Sequence, residues 1–201
     1  MITIPKGHRS FGDEQIANAK AKAKELGEIN NSITKGIGNT AGYLAEEILA
    51  HYFEMELISC NSGKAKYNND LKKNDIKFES KTKRRGVVPT LNYEATIAET
   101  SLHQKVQYYI FSSIKFEGYE INKYNQRREY KKPLSFTIIG FISKEDFLNK
   151  ARFLKKGEVD KSNNYKVHQN QYNIKHKELI NAKELFNLLQ LPNKINDEFS
   201  L

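Results

Sequence analysis

Tryptophan is absent from this chain of 201 residues, and cysteine occurs once, at Cys60. A single thiol excludes an intramolecular disulfide framework and a cysteine-rich zinc site, and it fits a reducing compartment. No apolar run approaches the length of a membrane span, and the first ten residues lack the apolar core of a signal peptide. The sequence therefore predicts a cytoplasmic protein with no membrane partner.

Two other common kinds of site are also missing. No glycine-rich phosphate-binding loop is present, so the sequence gives no indication of ATP dependence. The histidines have no H-x-x-x-H spacing of the kind that binds a metal, and we expect each of them to be structural or solvated: His8, His51, His103, His168 and His176.

Positive charge dominates what is there. The net charge of +9 indicates a polyanionic partner such as nucleic acid. Residues 64–85 contain nine Lys or Arg residues against three acids, so this stretch supplies six of the nine net positive charges. The length, with 38% hydrophobic and 28% charged residues, predicts one domain over residues 1–201 with a core of its own.

The basic stretch surrounds an acidic motif within Tyr67 to Lys81 (YNNDLKKNDIKFESK). Asp70 precedes a turn predicted at residues 72–75, and a strand follows. Side chains alternate along a strand, so Glu79 and Lys81 share its polar face. If Asp70 lies on the preceding strand, its carboxylate can meet that of Glu79. Two carboxylates beside an ammonium are costly to desolvate unless a divalent cation joins them, which is typical of a Mg²⁺-dependent hydrolase.

A further acidic pair lies on a helix predicted over Asn39 to Met55, where apolar residues recur at helical spacing. Glu46 and Glu47 lie on opposite flanks of the apolar stripe. Periodicity alone does not choose which of them reaches a site at the edge of a sheet.

The remaining pattern predicts an α/β fold with a mixed central β-sheet flanked by helices. Its core spans about residues 39–142, with an N-terminal helix and a C-terminal helix and hairpin as additions. The expected helices are Asp13–Leu26, Thr100–Val106, a helix from Ser143 to Gly157 with a capping box to Asp146, and Ala182–Leu191. The expected strands are Glu56–Cys60, Ala65–Leu71, Ile76–Thr82, Tyr108–Ile114 and Ser135–Ile142, with a peripheral hairpin over Tyr165–Ile174.

Two basic segments are candidates for nucleic-acid contact. Lys83, Arg84 and Arg85 end the strand pattern before Gly86, and we expect them to bind phosphates. Residues 117–132 lie between two strands and contain five Lys or Arg residues with three tyrosines. Arg127 and Arg128 in this segment are suited to phosphate or base edges, so it is either a DNA-contacting loop or a solvated hairpin.

The acidic motif resembles the signature of the PD-(D/E)XK nuclease superfamily, which has an acid on one strand and an acid-x-Lys on the next. Asp70 matches the first acid, Glu79 the second and Lys81 the lysine, whereas Asn69 stands where proline is usual and Ser80 where an apolar residue is usual. The wider pattern is similar to phage-associated endonucleases from about residue 31 to the C-terminal helix, notably in GYLAE at 42–46, NNDLKKNDIKFESKTK at 68–83 and FLKKGEVD at 153–160.

This resemblance implies a restriction-endonuclease-like core and a Mg²⁺-dependent DNA endonuclease, for which Mn²⁺ could substitute, in a bacterial or phage-infected cell. Asp70 and Glu79 would hold the metal with the backbone carbonyl of Ser80. Glu46, in the superfamily's G-x-x-x-E setting, would bind the metal directly or through water.

The resemblance also implies roles without metal ligation. Lys81 would orient or activate the attacking water and stabilise charge on the phosphate. Gln104 is a candidate for positioning on the resemblance alone.

Alternative functions stay open. A structure-specific nuclease or an exonuclease would use the same fold and residues. A non-catalytic nucleic-acid-binding module would need the lysines but would have no use for Asp70 and Glu79. Cutting of both strands often involves a homodimer, and the sequence shows no interface.

Overall fold

The computed structural model describes residues 1–26, 39–58, 69–121 and 128–192. The helices of this part are α1 (Asp13–Leu26), α2 (Asn39–Tyr52), α3 (Lys144–Lys150) and α4 (Glu184–Leu188). The strands are β1 (Ile2–Pro5), β2 (Glu56–Leu57), β3 (Leu71–Lys73), β4 (Ile76–Arg85), β5 (Glu94–Ala98), β6 (Tyr108–Phe116), β7 (Tyr119–Ile121), β8 (Arg128–Tyr130), β9 (Pro133–Ser143), β10 (Arg152–Leu154), β11 (Val159–Asp160), β12 (Tyr165–Lys166), β13 (Gln171–Lys175) and β14 (Ile180–Asn181). None of the helices in these ranges is long and apolar enough to cross a membrane.

The central sheet is mixed. Its strand order is β1-β9-β6-β4-β3-β2, and β14 also pairs with β9. Strands β4 and β6 are parallel, and the other pairs of this sheet are antiparallel. The parallel pair needs a crossover, which residues 86–107 supply. The prediction of a mixed α/β architecture is confirmed at this level.

Helix α2 packs its apolar stripe against one face of the sheet. Leu44, Ala45, Ile48 and Leu49 are buried in a cluster with Phe78 of β4. Each fully buried Leu or Ile of this stripe contributes about 1.5–3 kcal/mol. Helix α1 packs on α2 and joins the same cluster. The two helices therefore hold the acids of α2 over the sheet.

The β3–β4 hairpin turns over two residues. Asn74 and Asp75 have φ values of 48° and 63°, the left-handed conformation that two-residue hairpin turns require and that Asn and Asp tolerate. The turn predicted over residues 72–75 is thus shorter, because Lys72 and Lys73 already pair in β3. This register places Leu71 opposite Phe78.

A second sheet, in the order β10-β13-β5, belongs to a second apolar cluster on the opposite face of the central sheet. Tyr109 and Phe111 of β6 and Ile97 of β5 belong to this cluster, together with Phe147 of α3. Because β4 lies beside β6, its residues on this face approach the second sheet.

Several predicted boundaries are wrong. Strand β4 does not end at Thr82 but runs to Arg85, and the helix predicted over residues 100–106 is reduced to one 3₁₀ turn at Glu99–Ser101. The helix after Ser143 has the expected cap, since the Ser143 hydroxyl accepts from the Asp146 amide at 3.0 Å, but it ends at Lys150. The hairpin predicted over residues 165–174 does not form: β12 pairs with β11, and β13 pairs with β10 and β5. The C-terminal helix is shorter than predicted. The strands predicted at 56–60 and 65–71 lie partly outside the described residues.

Candidate active site

The alternation of β4 brings Glu79 and Lys81 together. In the parallel register, Glu79 lies beside Tyr109 and Lys81 beside Phe111, so all four side chains are on the face that the second sheet covers. The Lys81 ammonium donates a hydrogen bond to Glu79 Oε1 at 2.6 Å. The Glu79 side chain is only 4% exposed, so this ion pair is shielded from water on the carboxylate side.

Asp70 is fixed against the same strand. It lies one residue before β3, and its amide donates to the carbonyl of Phe78 at 3.0 Å. Its carboxylate oxygen Oδ2 accepts from the Ser80 amide at 2.8 Å, while its backbone carbonyl accepts from the Ile58 amide instead. The Asp70 side chain thus occupies the place of a ladder carbonyl at the point where β3 and β4 part.

Helix α2 supplies Glu46. Its side chain is 12% exposed, and Oε2 lies 3.5 Å from the ammonium of Lys22 on α1. The charges of Glu79 and Lys81 shift the pKa of Glu46, and the charge of Glu46 shifts the pKa of Asp70. Of the two acids that the sequence left open, Glu46 is the one that interacts electrostatically with Asp70, Glu79 and Lys81. These four residues are hereafter the acidic cluster.

Lys22 is a member of the site's surroundings that the sequence did not reveal. Its ammonium also lies 4.8 Å from the centre of the Tyr43 ring. Helical spacing could have revealed it: Lys22 follows the fully buried Ala19 by three positions, so it lies on the side of α1 that faces the protein. The Ala/Lys-rich composition made α1 look like a surface helix.

The acidic cluster is strained electrostatically. Burial raises the pKa of Glu46 to about 7, against the opposing attraction of Lys22, and the negative charge of Glu79 adds to the rise. Burial also raises the pKa of Asp70 well above its ordinary value, and the charges of Glu46 and Glu79 raise it further. Desolvated carboxylates that repel one another are the arrangement that a bound cation would stabilise.

Unpartnered polar atoms lie on both faces of β4 at this point. Glu79 Oε2 and Tyr109 Oη share one face of the sheet and Ser80 Oγ is on the other; all three are buried and have no hydrogen-bond partner in the described part of the chain. Burial, with the charge of Glu79, raises the pKa of the Tyr109 hydroxyl to about 12, so it stays protonated at neutral pH. Buried polar groups are rarely left unpaired, so these atoms indicate room for a ligand or water at the cluster.

The donor chemistry fits Mg²⁺, which takes hard oxygen ligands, binds through one or two carboxylates and retains several waters. Glu79 Oε2 is an available oxygen of this kind. Within residues 1–26, 39–58, 69–121 and 128–192, no group of three or more His, Cys, Asp or Glu side chains is arranged to hold a metal by itself. A Mg²⁺ ion at this place would therefore depend on fewer than three such side chains, with water as its other ligands.

The backbone of Gln104 is held by residues outside the acidic cluster. Its amide donates to the Ser101 carbonyl and its own carbonyl accepts from the Lys144 ammonium at 2.7 Å. Its side-chain Oε1 is buried without a partner among the described residues. The structure thus leaves Gln104 with an unused acceptor and no defined role.

Lys83, Arg84 and Arg85, which the sequence predicted to bind phosphates, all contact other residues of the protein. The Lys83 ammonium donates to the Glu94 carbonyl and to Thr96 Oγ1, both at 3.0 Å. Burial lowers the pKa of Lys83 to about 8, and the charge of Arg85 lowers it further. The guanidinium of Arg84 lies over the ring of Tyr130 and that of Arg85 over the ring of Tyr93.

In the described parts of the second basic segment, β7 pairs with β8. Arg128 begins β8, and its side chain lies outside the described residues, as does the whole of Arg127.

Comparisons of this chain with protein-family models, with curated proteins and with solved structures gave no match.

Proposed function

We propose that the protein is a Mg²⁺-dependent DNA endonuclease that hydrolyses phosphodiester bonds. The observation that carries the proposal is the acidic cluster: three carboxylates from α2, from the residue before β3 and from β4 interact with one another and with Lys81. Carboxylates with strongly raised pKa values beside a lysine are typical of catalytic sites, because their mutual repulsion destabilises a core that binds no ligand.

The order of the elements supports the proposal. Helix α2 carries Glu46, the next hairpin carries Asp70, and the following strand carries Glu79 and Lys81. This is the order implied by the resemblance to the PD-(D/E)XK superfamily. A restriction-endonuclease-like core is therefore part of what we propose.

The residues have separable roles in this account. Asp70 and Glu79 would hold Mg²⁺ with the Ser80 carbonyl, and Glu46 would bind it directly or through water. Bound Mg²⁺ supplies charge stabilisation at the scissile phosphate. Lys81 orients the attacking water and stabilises the phosphate oxygens. Water adds to phosphorus as the bond to the leaving 3′ oxygen breaks, the attacking water releases a proton to bulk water, and the 3′ oxygen takes up a proton from bulk water to become a hydroxyl.

The net charge of the chain supports a nucleic-acid substrate. Six of the nine net positive charges belong to residues 64–85, which include Asp70, Glu79 and Lys81. A positive field around an acidic metal site attracts a polyanion to carboxylates that would otherwise repel it.

The test is cleavage of supercoiled, linear and branched DNA with and without Mg²⁺. Asp70→Ala should abolish cleavage, while DNA binding at low salt stays the same or strengthens because a negative charge near the phosphate is lost. Asp75→Asn is the matched control, since Asp75 lies in the turn of the same hairpin with its side chain 97% exposed and asparagine keeps the left-handed conformation of the turn. Asp75→Asn should cut like the wild type.

The same assay separates the alternatives. A fixed fragment pattern indicates sequence-specific cutting, and dependence on ends, nicks or junctions indicates an exonuclease or a structure-specific nuclease. Mg²⁺-dependent cleavage that survives Asp70→Ala would remove Asp70 from the site. Binding without cleavage of any substrate would contradict the proposal and favour a non-catalytic nucleic-acid-binding module.

A further inference from the structure

Strand β4 leads from the acidic cluster to a polar cavity of about 860 Å³. Lys81, Lys83 and Arg85 follow Glu79 on the same face of the strand. Lys83 and Arg85 line the cavity. At about 3.3 Å per residue, Arg85 lies about 13 Å along the strand from Lys81, roughly four steps of stacked DNA at about 3.4 Å per step.

The cavity has more positive than negative charge. Three cations, Lys83, Arg85 and Lys175, line it against one acid, Glu94. The carboxylate of Glu94 is already engaged by Arg152 and Asn173, and the partners of Lys83 are uncharged. In addition, the Nε of Arg85 is buried without a hydrogen-bond partner in the described ranges. The cavity is therefore suited to an anion.

Aromatic rings accompany the cations. The guanidinium of Arg85 lies 4.7 Å from the centre of the Tyr93 ring, and both residues line the cavity. Tyr165 of β12 also lines it and is 47% exposed. Exposed rings and guanidinium planes beside positive charge are the surfaces on which unpaired bases stack.

Amide side chains complete the wall. An amide side chain has both a donor and an acceptor, which suits the edges of a base. Gln171 and Asn173 bond to each other, Asn173 also donates to Glu94, and Asn163 accepts from the Tyr165 amide. Five of them line the cavity: Asn92, Asn163, Gln169, Gln171 and Asn173. Anion binding, stacking and edge recognition in one cavity match the phosphate of a nucleotide and the face and edge of its base.

We propose that this cavity binds an unpaired nucleotide of the DNA strand that the acidic cluster cuts, an inference that rests on the proposed function. A base within a duplex is stacked and paired, so it must be single-stranded or extruded to reach such walls. The substrate class is then DNA with a single-stranded tail, flap or gap within a few nucleotides of the scissile phosphate. A free nucleotide has the same chemistry, but the continuity with β4 favours the strand.

The experiment measures binding to a blunt duplex and to the same duplex with a single-stranded tail, by fluorescence anisotropy without divalent metal so that no cleavage occurs. Wild type should bind the tailed DNA about tenfold more tightly. Tyr165→Ala should lose about five- to tenfold in affinity for the tailed DNA and none for the blunt duplex. Phe153→Ala is the control, because Phe153 is 38% exposed on β10 and does not line the cavity; it should behave as wild type.

Three results would overturn the inference: equal affinity for tailed and blunt DNA, an equal loss on both in Tyr165→Ala, or displacement of the tail by a deoxynucleoside monophosphate that binds as tightly as the tail does. The last would assign the cavity to free nucleotides. A tail preference without Mg²⁺-dependent cleavage would contradict only the proposed function. Mg²⁺-dependent cleavage without a tail preference would contradict only the inference.

Discussion

Glu46 should lower the stability of the metal-free protein at neutral and alkaline pH. Burial raises the pKa of its carboxyl from an ordinary 4.5 to about 7. The folded state therefore binds more protons than the unfolded state between these values, and stability falls as pH rises through them. At about 1.4 kcal/mol for each tenfold change in proton affinity, the cost reaches about 3 kcal/mol above neutral pH.

Glu46→Gln removes this cost while keeping the size of the side chain. The attraction of Lys22 is already included in the pKa of about 7, so its loss does not add a separate penalty. The variant should be more stable than wild type by about 3 kcal/mol near pH 8. Near pH 4, where Glu46 is mostly protonated in both states, the two proteins should agree within about 0.5 kcal/mol.

Urea unfolding across this pH range, with EDTA present, measures the difference. Glu47→Gln is the matched control on the same helix, and it should stay within about 0.5 kcal/mol of wild type because it changes a residue outside the cluster. A Glu46→Gln protein that is less stable than wild type near pH 8, by an amount independent of pH, would refute the reasoning.

Three further substitutions test the frame that holds the site, each by urea unfolding. Gly140→Ala should destabilise the folded protein by about 1–3 kcal/mol, because a Cβ there would lie 2.5 Å from the Ile180 carbonyl oxygen. An unchanged urea midpoint would show that β14 can move away from β9 at no cost. Asp160→Asn should cost about 2 kcal/mol, because fully buried Asp160 accepts from both terminal nitrogens of Arg152 at 2.9 and 3.1 Å; no loss would make that pair dispensable. Ser143→Ala should cost about 1 kcal/mol by removing the cap of α3, and Ser143→Asp, which can still cap, should recover most of it.

The sequence allowed prediction where local signals and tertiary packing agree. Helix α1 was placed at its observed bounds because Asp13 opens it and its pattern is uninterrupted. The shared face of Glu79 and Lys81 followed from strand alternation. Whether Asp70 would lie against this strand depended on the register of the hairpin, which a two-residue turn fixes.

Other features had no local signal. Strand β4 continues through charged residues because Lys83 finds neutral oxygens on β5 and Arg85 a tyrosine ring, and both partners come from the crossover. Hydrophobic alternation cannot reveal such a strand. The ion pair between Arg152 and the buried Asp160 likewise joins two segments that the sequence predicted as the end of a helix and as no regular element.

The most direct test of the acidic cluster is the rate of plasmid cleavage as a function of Mg²⁺ concentration for wild type and Glu79→Gln. The glutamine keeps an oxygen for the Lys81 ammonium but removes the carboxylate charge. We expect Mg²⁺-dependent cleavage by wild type and a rate at least about 100-fold lower for Glu79→Gln, with DNA binding retained. Equal Mg²⁺-dependent rates for the two proteins, or no cleavage by folded wild type on any DNA, would contradict the account.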